Sequence, residues 1–341
     1  MQAHFQTTQK DDPATVVTKS KSLVTDSTPV ASPASPRRRP AQTITHPAIT
    51  HPDRVLWPAA NGTRAVTKAD LAAYYALYAD RILAQIGGRP LSVLRAPDGI
   101  TGELFFQRHI VRGQSPLIGV VPIAGQPRPF LRVDNAAALR ALAQIAVVEL
   151  HPWGALAETP DVPDRLVFDL DPAEDLPFAA VIDAALMVRA RLKAVGLEAF
   201  ARVTGGKGMH VVVPLVTPKR GAPPGWPEAK QFTRLVCLAM ERDAPDRYTT
   251  TLSKQARGGK IFLDYLRNDR MATAIGGWSP RGRAGAPIAR PVAWAAVKPG
   301  LDPAGWWLPE MLDAREPSTP WADFNAAAGD LRAAIATAAK A

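Results

Sequence analysis

The sequence has very little cysteine, no long apolar run and fewer acidic than basic residues. Cys237 is the only cysteine among the 341 residues, which excludes an intrachain disulfide and a zinc site built from several cysteines. No run of about 18 uncharged apolar residues occurs, so we expect no transmembrane helix. The first residues also lack the basic and then apolar segments of a secretory signal. These absences favour a reducing, cytoplasmic location without a membrane anchor.

The balance of charge favours a polyanionic partner. There are 31 acidic residues against 41 lysines and arginines, which gives a formal net charge of +10 and an isoelectric point of about 9.9. A surplus of this kind is typical of proteins that bind nucleic acid, nucleotides or an anionic membrane. Charge alone does not distinguish these partners, because many basic proteins bind no nucleic acid.

Composition divides the chain into three segments. Residues 1–45 are rich in Ser, Thr, Pro and Ala and contain few large apolar side chains, so they are predicted to form a disordered basic tail. The main folded domain is predicted over residues 46–315. Residues 316–341 are predicted to form a helical extension, because the apolar residues there are spaced as on a helix. Few of these residues are aromatic.

Strand and helix patterns mix along the folded part without strict alternation. Thr67 is a candidate N-cap for a helix that Gly87 and Gly88 end. The strand "KIFLDYL" at 260–266 is predicted to pair with "MATAIGGW" at 271–278, and several other strands look hairpin-linked. We therefore predict an α+β fold with mixed or antiparallel central sheets flanked by helices, rather than a doubly wound parallel sheet.

Two aspartates interrupt the apolar strand "RLVFDLDP". Side chains alternate between the faces of a strand, so Asp169 and Asp171 project from the same side while Phe168 and Leu170 face the core. Two partly buried carboxylates repel each other, and a divalent cation such as Mg²⁺ or Mn²⁺ removes that cost. Asp264 in "KIFLDYL" is a third candidate ligand, and three carboxylates from two strands are able to hold two ions. A D-x-D pair also occurs in salt bridges, helix caps and nucleotide-sugar transferases, so the pair alone does not decide the chemistry.

The loop "TGGKG" is a candidate phosphate-binding loop. Its glycines let the backbone approach an anion closely, and it offers the hydroxyl of Thr204 and the charge of Lys207. His210 opens the following strand and is able to donate to a phosphate oxygen. The alternatives are a glycine-rich hairpin turn with a solvated lysine and a histidine satisfied within the core. Further cations flank the last acidic strand: Lys254, Arg257, Lys260, Arg267, Arg281 and Arg283.

Taken together and in this order, the motifs resemble the polymerase domain of the bacterial end-joining ligase LigD, a branch of the archaeo-eukaryotic primase superfamily. The resemblance covers roughly residues 51–295 and is carried by "RVLWP", "TKADLAAYY", "GRPLSVLRAPDG", "FFQRH", "ELHPW", "LVFDLDP", "TGGKGMHVVVPL" and "RGGKIFLDYLRNDRMATAIGGWSPRGRAGAPIARPVAW". It implies a primase-polymerase architecture with an RRM-like catalytic core. Thr204 stands where the family usually has Ser, and Arg108 stands where Lys is common.

The resemblance implies a role for each matching residue. Asp169, Asp171 and Asp264 correspond to the metal-binding catalytic triad. The residues that correspond to nucleotide-binding positions are Thr204, Lys207, His210, Arg257, Arg281 and His151. Those that correspond to DNA-binding positions are Arg54 and Lys68 for a 5′-phosphate, Phe105 and Phe106 for template bases, and Arg95 and Arg108.

The resemblance also implies the reaction. It is the extension of primer 3′-hydroxyls with NTPs or dNTPs at DNA breaks and gaps, with two Mn²⁺ or Mg²⁺ ions, by a monomer near the bacterial nucleoid. Ku and a separate DNA ligase are the expected partners, because no ligase or nuclease motif is recognised. One alternative is a DNA-end-binding module without chemistry. A second, a metal-dependent glycosyltransferase, leaves the cations around Asp264 unexplained.

Overall fold

The computed structural model describes residues 49–218, 221–313 and 320–340. The predicted tail over residues 1–45 lies outside the described residues. The strands are β1 (Val55–Trp57), β2 (Val66–Thr67), β3 (Leu91–Arg95), β4 (Phe105–Gln107), β5 (Gly119–Val121), β6 (Phe130–Arg132), β7 (Val147–Pro152), β8 (Arg165–Pro172), β9 (Phe200–Val203), β10 (Met209–Pro214), β11 (Tyr248–Thr249), β12 (Ile261–Asp264), β13 (Ser279–Pro280) and β14 (Ile288–Val292). The helices are α1 (Lys68–Leu77), α2 (Ala79–Ile86), α3 (Ala136–Gln144), α4 (Phe178–Ala194), α5 (Trp226–Asp243), α6 (Leu308–Asp313) and α7 (Leu331–Ala338), with short 3₁₀ turns at Lys254–Arg257 and Trp294–Ala296.

A seven-stranded sheet carries the acidic strands. Its order is β11-β12-β8-β10-β9-β14-β13, and its pairs are antiparallel except β11 with β12. Strand β8 therefore lies between β12 and β10. One face of β8 is apolar, and Leu166, Phe168 and Leu170 pack there in a core that helices α4 and α5 complete. Burial of that face fixes the register and leaves the aspartates on the opposite face.

A five-stranded sheet forms the other half of the fold. Strand β3 pairs with β7 on one side and with β4 and β6 on the other, and β5 extends the sheet beyond β6. Helices α1, α2 and α3 cover it with a second core that includes Trp57, Tyr74 and Tyr75. The mixed seven-stranded sheet and the antiparallel five-stranded sheet, with their flanking helices, confirm the predicted α+β class.

The first helix begins where the sequence predicts. The Thr67 side chain accepts a hydrogen bond from the backbone N–H of Asp70, and the Asp70 carboxylate accepts from the backbone N–H of Thr67, which completes a capping box. The predicted single helix is divided at Tyr78 into α1 and α2, and Gly87 is the residue at which α2 ends.

The predicted pairing of "KIFLDYL" with "MATAIGGW" is wrong. Both edges of β12 are occupied, by β8 on one side and β11 on the other. The segment 271–278 instead crosses to the strand β7 region, where the Gly276 N–H donates to the Leu150 carbonyl. Met271 and Trp278 have φ values of 68° and 64°, which interrupt an extended chain.

The described part of the C-terminal segment packs on the seven-stranded sheet. Trp321 and Phe324 stack at 4.8 Å over Val167 and Val212, and the Trp321 indole N–H donates to the Ala201 carbonyl. The helical extension was predicted over residues 316–341, and the helix observed there, α7, spans Leu331–Ala338. The domain boundaries remain predictions. Within the part of the chain that the structure describes, no helix combines the length and the apolar character that crossing a membrane requires.

Candidate active site

Three aspartates converge on one face of the seven-stranded sheet. Asp264 on β12 and Asp169 on β8 are directly paired residues of neighbouring antiparallel strands. Asp171 lies two residues farther along β8 and so projects from the same face as Asp169. One carboxylate oxygen from each of the three lies within 4.8 Å of the others. The structure therefore brings together the three predicted metal ligands.

The environment lowers the pKa of one of these carboxyl groups and raises the pKa of the other two. Burial works to raise the pKa of Asp169, but His210, through its charge and hydrogen bond, and the nearby arginines outweigh burial and lower it to about 2. Burial, followed by the charge of Asp169, raises the pKa of Asp171 to about 7. Burial also raises the pKa of Asp264, against the charge of Arg267. A group of carboxyls held this close is costly to ionise fully unless a cation binds.

This donor set fits a divalent metal. Three carboxylates supply hard oxygen ligands at separations that a shared cation or a pair of cations is able to bridge. In the described part of the chain no other group of three His, Cys, Asp or Glu side chains meets the same distance criterion. The raised pKa of Asp171 shows that ionising this carboxyl is unfavourable in the metal-free protein, and a bound cation would make it favourable. The geometry supports metal binding without identifying the ion.

Two basic side chains contact the aspartates, and a third holds one of these two. Arg267 lies 2.9 Å from Asp264 Oδ2 and 3.3 Å from Asp169 Oδ2. His210, paired with Asp169 across β10 and β8, places Nε2 3.2 Å from Asp169 Oδ1. Arg202 lies 2.7 Å from His210 Nδ1. A guanidinium only donates, so Nδ1 accepts and the proton of a neutral His210 is on Nε2, directed at Asp169.

The glycine loop joins β9 to β10 beside this cluster. Thr204 donates its hydroxyl to the Gly208 carbonyl and so closes the turn. Gly205 has a φ of 68°, and a Cβ on Gly208 would lie 2.7 Å from the Leu170 carbonyl oxygen, so both positions require glycine. Lys207 projects outward, with more than half of its side chain exposed, 3.5 Å from Glu174. The loop is thus a hairpin turn, as one alternative held, and it also borders the acidic cluster.

A buried glutamate that sequence reasoning did not select organises the opposite wall. Glu149 on β7 accepts hydrogen bonds from Arg281 Nε at 3.0 Å and from the Gly282 N–H at 2.9 Å. Its other oxygen lies 2.8 Å from His151 Nε2. Burial opposes its ionisation, yet His151 and Arg281 lower the pKa of Glu149 to about 2. The i,i+2 spacing of Glu149 and His151 in "ELHPW" was the available signal.

A cleft of about 740 Å³ opens between these walls. Every predicted catalytic or nucleotide-binding residue except Asp264 lines it, and Asp264 lies beneath its floor beside Asp169. Arg281 ties the walls together, because it also donates to the Thr204 carbonyl. Arg267 and Arg283 line the cleft as well, although they were noted only as part of the basic cluster. Among the cleft cations, Arg257 stacks 3.7 Å over the Phe262 ring.

The predicted template-binding side chains lie on the edge strand β4. Phe105 and Phe106 are 42% and 48% exposed, so both rings are free to contact a base. Adjacent residues on a strand project to opposite faces. Phe106 is the one directed toward the site, since its ring meets His151 edge-on at 5.5 Å and Arg108 lies 5.6 Å from its centroid.

The two residues predicted to bind a 5′-phosphate are neighbours at the start of α1. The Lys68 N–H donates to the Arg54 carbonyl, and Lys68 Nζ donates to the Thr50 carbonyl at 2.9 Å. Burial, and then the charge of Arg54, lower the pKa of Lys68. Arg95 is placed differently. It is half-buried and bonds to the Ile145 carbonyl and to Gln107, so its DNA contact remains a prediction.

Comparison with known proteins decides the family. A family described as LigD, primase-polymerase domain, matches residues 67–321, about three quarters of the chain. The chain belongs to this family. The predicted family and the predicted class of enzyme, a polymerase-type nucleotidyltransferase, are thereby confirmed.

Individual relatives support the assignment. The chain is 38% identical over 285 residues to the multifunctional non-homologous end joining protein LigD of Pseudomonas aeruginosa, covering 81% of this chain and 32% of that protein. It is 34% identical over 268 residues to the LigD of Mycobacterium tuberculosis, covering 75% and 34%. It is 27% identical over 293 residues to the bifunctional LigD of Bacillus subtilis, covering 83% and 46%. The chain therefore spans a third to a half of the length of these relatives.

A solved structure shows the same fold. The polymerase domain of Mycobacterium tuberculosis ligase D in complex with DNA matches with a TM-score of 0.72 and 30% identity, and the match covers 82% of this chain and 98% of that domain. The primase-polymerase fold predicted from the motifs is therefore present. The roles of individual site residues remain predictions.

Proposed function

We propose that this chain is a repair polymerase that extends primer 3′-hydroxyls with NTPs or dNTPs at DNA breaks and gaps, within non-homologous end joining. The single observation that carries the proposal is the three-aspartate cluster at the floor of a cleft whose walls are a glycine loop and several cations. A carboxylate cluster next to excess positive charge suits a metal-bound triphosphate, which carries more negative charge than the diphosphate of a nucleotide sugar. The cations of the cleft and the family assignment thus speak against a glycosyltransferase.

Asp169, Asp171 and Asp264 are the residues that would hold two divalent ions, with Mn²⁺ expected in preference to Mg²⁺. When bound, such ions lower the pKa of a primer 3′-hydroxyl and stabilise the charge on the departing pyrophosphate. The chain's own contribution is to hold the carboxylates ready. Arg267 and His210 keep Asp169 and its neighbours oriented before a metal arrives.

The cleft cations are proposed to bind the triphosphate. Lys207 is exposed, and its long flexible side chain is able to bring the ammonium group to a phosphate. Arg281, in contrast, is fixed by hydrogen bonds to Glu149 and to the Thr204 carbonyl. A guanidinium fixed in advance costs little to reorganise as charge shifts between the phosphate oxygens. Arg257 and Arg283 add charge on either side. His151, held by Glu149, is proposed to lie near the sugar of the incoming nucleotide.

The DNA is proposed to approach from β4 and the start of α1. Phe106 would stack on a template base, with Arg108 near the backbone. The cationic pair Arg54 and Lys68 would bind a 5′-phosphate on the far side of a gap. The solved relative was obtained in complex with DNA, which supports DNA as a ligand of this fold. Ku and a separate DNA ligase are proposed partners of a monomeric, nucleoid-associated protein.

A primer-extension assay tests the proposal. Gapped and overhanging DNA, each with and without a 5′-phosphate, is incubated with Mn²⁺ or Mg²⁺ and with labelled NTPs or dNTPs. We expect elongation that is strongest with Mn²⁺ on the phosphorylated gap. A shifted DNA band with no elongation under any of these conditions would instead identify a DNA-end-binding module without chemistry.

A further inference from the structure

Arg202 is a buried guanidinium without a carboxylate partner. Only 3% of the residue is exposed, and no Asp or Glu oxygen of the described chain lies within 4.0 Å of its nitrogens. One terminal nitrogen donates to His210 Nδ1, the ring of Trp321 covers the group at 5.7 Å, and Nε is buried with no hydrogen-bond acceptor. A buried charge without a counter-charge is costly, so the surroundings of Arg202 need one.

A small recess adjoins this guanidinium. The centre of a water-sized sphere has about 10 Å³ in which to lie there, so the recess has room for one small particle. Its polar side chains are Arg165, Arg202, Arg267 and Trp153, all of which carry only N–H donors. The indole N–H of Trp153, like Nε of Arg202, is buried without a partner. None of the side chains that line the recess offers an acceptor.

The charge around the recess is positive. Arg165 is paired with Asp164, and Arg267 with Asp169 and Asp264, so these two arginines have carboxylates on their outer sides. Burial and then the charge of Arg165 lower the pKa of Arg202 to about 9, against the charge of Asp169, which lies beyond His210 and raises it. A neutral water in the recess would accept hydrogen bonds but would leave this repulsion unrelieved.

We propose that the recess binds a single halide ion, chloride under ordinary conditions, as the internal counter-ion of Arg202. The ion would accept from Arg202 Nε and Trp153 Nε1 and would separate the charges of Arg165 and Arg202. Arg202 fixes the proton of His210 and thereby the hydrogen bond to Asp169, so the site supports the floor of the cleft from behind. This site is distinct from the triphosphate cleft, although Arg267, Ala274 and Ile275 border both spaces.

Bromide is the probe for the site in crystals. Crystals of the unaltered chain are grown or soaked in sodium bromide, and anomalous diffraction data are collected at the bromine edge. The expected result is an anomalous peak between the guanidinium groups of Arg165 and Arg202 and the indole of Trp153. Ordinary water density there with no anomalous signal, or an empty recess, overturns the proposal.

Thermal unfolding tests the same site in solution. Chloride is exchanged for methanesulfonate, a much larger anion, at constant ionic strength. We expect a saturable rise in melting temperature, of about 2 °C at ten times the half-saturating chloride concentration. The rise should vanish in Arg202→Met and persist in Arg189→Met, a matched control in which the arginine also stacks on a tryptophan, Trp294.

A melting temperature that is equal in the two anions, or a chloride effect that persists in Arg202→Met, argues against the site. If Arg202→Met does not fold, the bromide experiment on the unaltered chain still gives a decisive answer.

Discussion

Asp264 faces Asp169 directly across the hydrogen-bonded boundary between β12 and β8. Residues paired in this way on antiparallel strands have Cβ atoms about 5 Å apart, which is closer than Asp169 and Asp171 approach along one strand. The third carboxylate therefore completes the cluster by sheet pairing rather than by proximity in sequence. Any change that slips β12 by one residue would turn Asp264 into the apolar core and remove it from the site.

Removing one member of the cluster should abolish polymerisation. Asp171→Ala is expected to lower primer extension with Mn²⁺ by more than about 100-fold, since loss of even an outer-shell metal contact costs about 10 to 100-fold. DNA affinity should change little, because the substitution removes negative charge from a basic cleft. Gel-based extension and DNA binding by fluorescence anisotropy measure the two effects. Asp183→Ala, which removes an exposed aspartate of α4 that pairs with Arg247 and does not line the cleft, is the control and should stay active. Near-normal extension by Asp171→Ala contradicts the assignment.

The contribution of Asp171 to the stability of the metal-free protein should fall as pH rises. The pKa of Asp171 is about 7 in the folded chain and about 4 in the unfolded chain, so the folded state binds this proton more tightly between those values. Its contribution to the free energy of unfolding is complete below about pH 4 and is lost as pH rises through about 7. Asp264, whose pKa is also raised, acts in the same direction. Melting temperatures in EDTA between pH 4 and pH 8 measure the effect.

The control for this pH effect is Asp171→Asn, which stays neutral. The melting temperature of the wild type minus that of the variant should fall across the range, while unrelated titrations cancel. Saturating Mn²⁺ should abolish or reverse the fall, because the ion favours the ionised carboxylates. Parallel profiles for the two proteins in EDTA would show that Asp171 is not perturbed.

Local sequence patterns predicted those features of the site that are set within a single strand. The alternation of Phe168, Asp169, Leu170 and Asp171 gave the orientation of both β8 carboxylates, because one face had to be buried. Pairing between distant segments was less predictable. The partner assigned to β12 was wrong because no sequence signal revealed that β8 and β11 occupy both of its edges.

Buried polar residues were the other part that the sequence did not disclose. Glu149 and Arg202 look like ordinary charged residues within strands, and their importance comes from partners that lie far away in sequence. Glu149 meets Arg281 over a separation of 132 residues. Arg202 acquires its role from His210 and from the cover of Trp321. Such roles depend on tertiary contacts, which periodicity and motif spacing do not encode.

Glu149 should act as a positioning residue for nucleotide binding. Glu149→Gln keeps the shape of the side chain but removes the charge that fixes Arg281 and His151. We expect KM for the nucleotide to rise about tenfold, as for loss of about 1.4 kcal/mol, with a smaller change in kcat. Steady-state kinetics with saturating DNA separate the two constants. Glu158→Gln, which removes an exposed surface partner of Arg132, is the control; a fall in kcat with KM unchanged would rule out this positioning role.

Phe106 should contribute to template binding through its ring. Phe106→Leu keeps an apolar side chain but removes the stacking face, which is worth about 1–3 kcal/mol per base. We expect gapped-DNA affinity to fall by at least about fivefold, and Phe106→Tyr to restore most of it. Val120→Ala is the control, because it shortens another exposed side chain on the same sheet. Equal DNA affinity for Phe106→Leu and wild type would place the template elsewhere.

Arg54 should confer the preference for a 5′-phosphate. Its guanidinium bonds to the Pro97 carbonyl and lies 3.4 Å from Asp98, yet the side chain is 45% exposed beside the N-terminus of α1. The guanidinium of Arg54 and the ammonium of Lys68, which are neighbours there, make a basic site that suits a phosphate. We expect Arg54→Gln to reduce the stimulation of gap filling by a 5′-phosphate several-fold while leaving extension on unphosphorylated gaps intact. Arg64→Gln removes an arginine near the same helix start, where it pairs with Asp70, and should keep the stimulation. Equal loss in both variants would mean that general charge, rather than a defined pocket, recognises the phosphate.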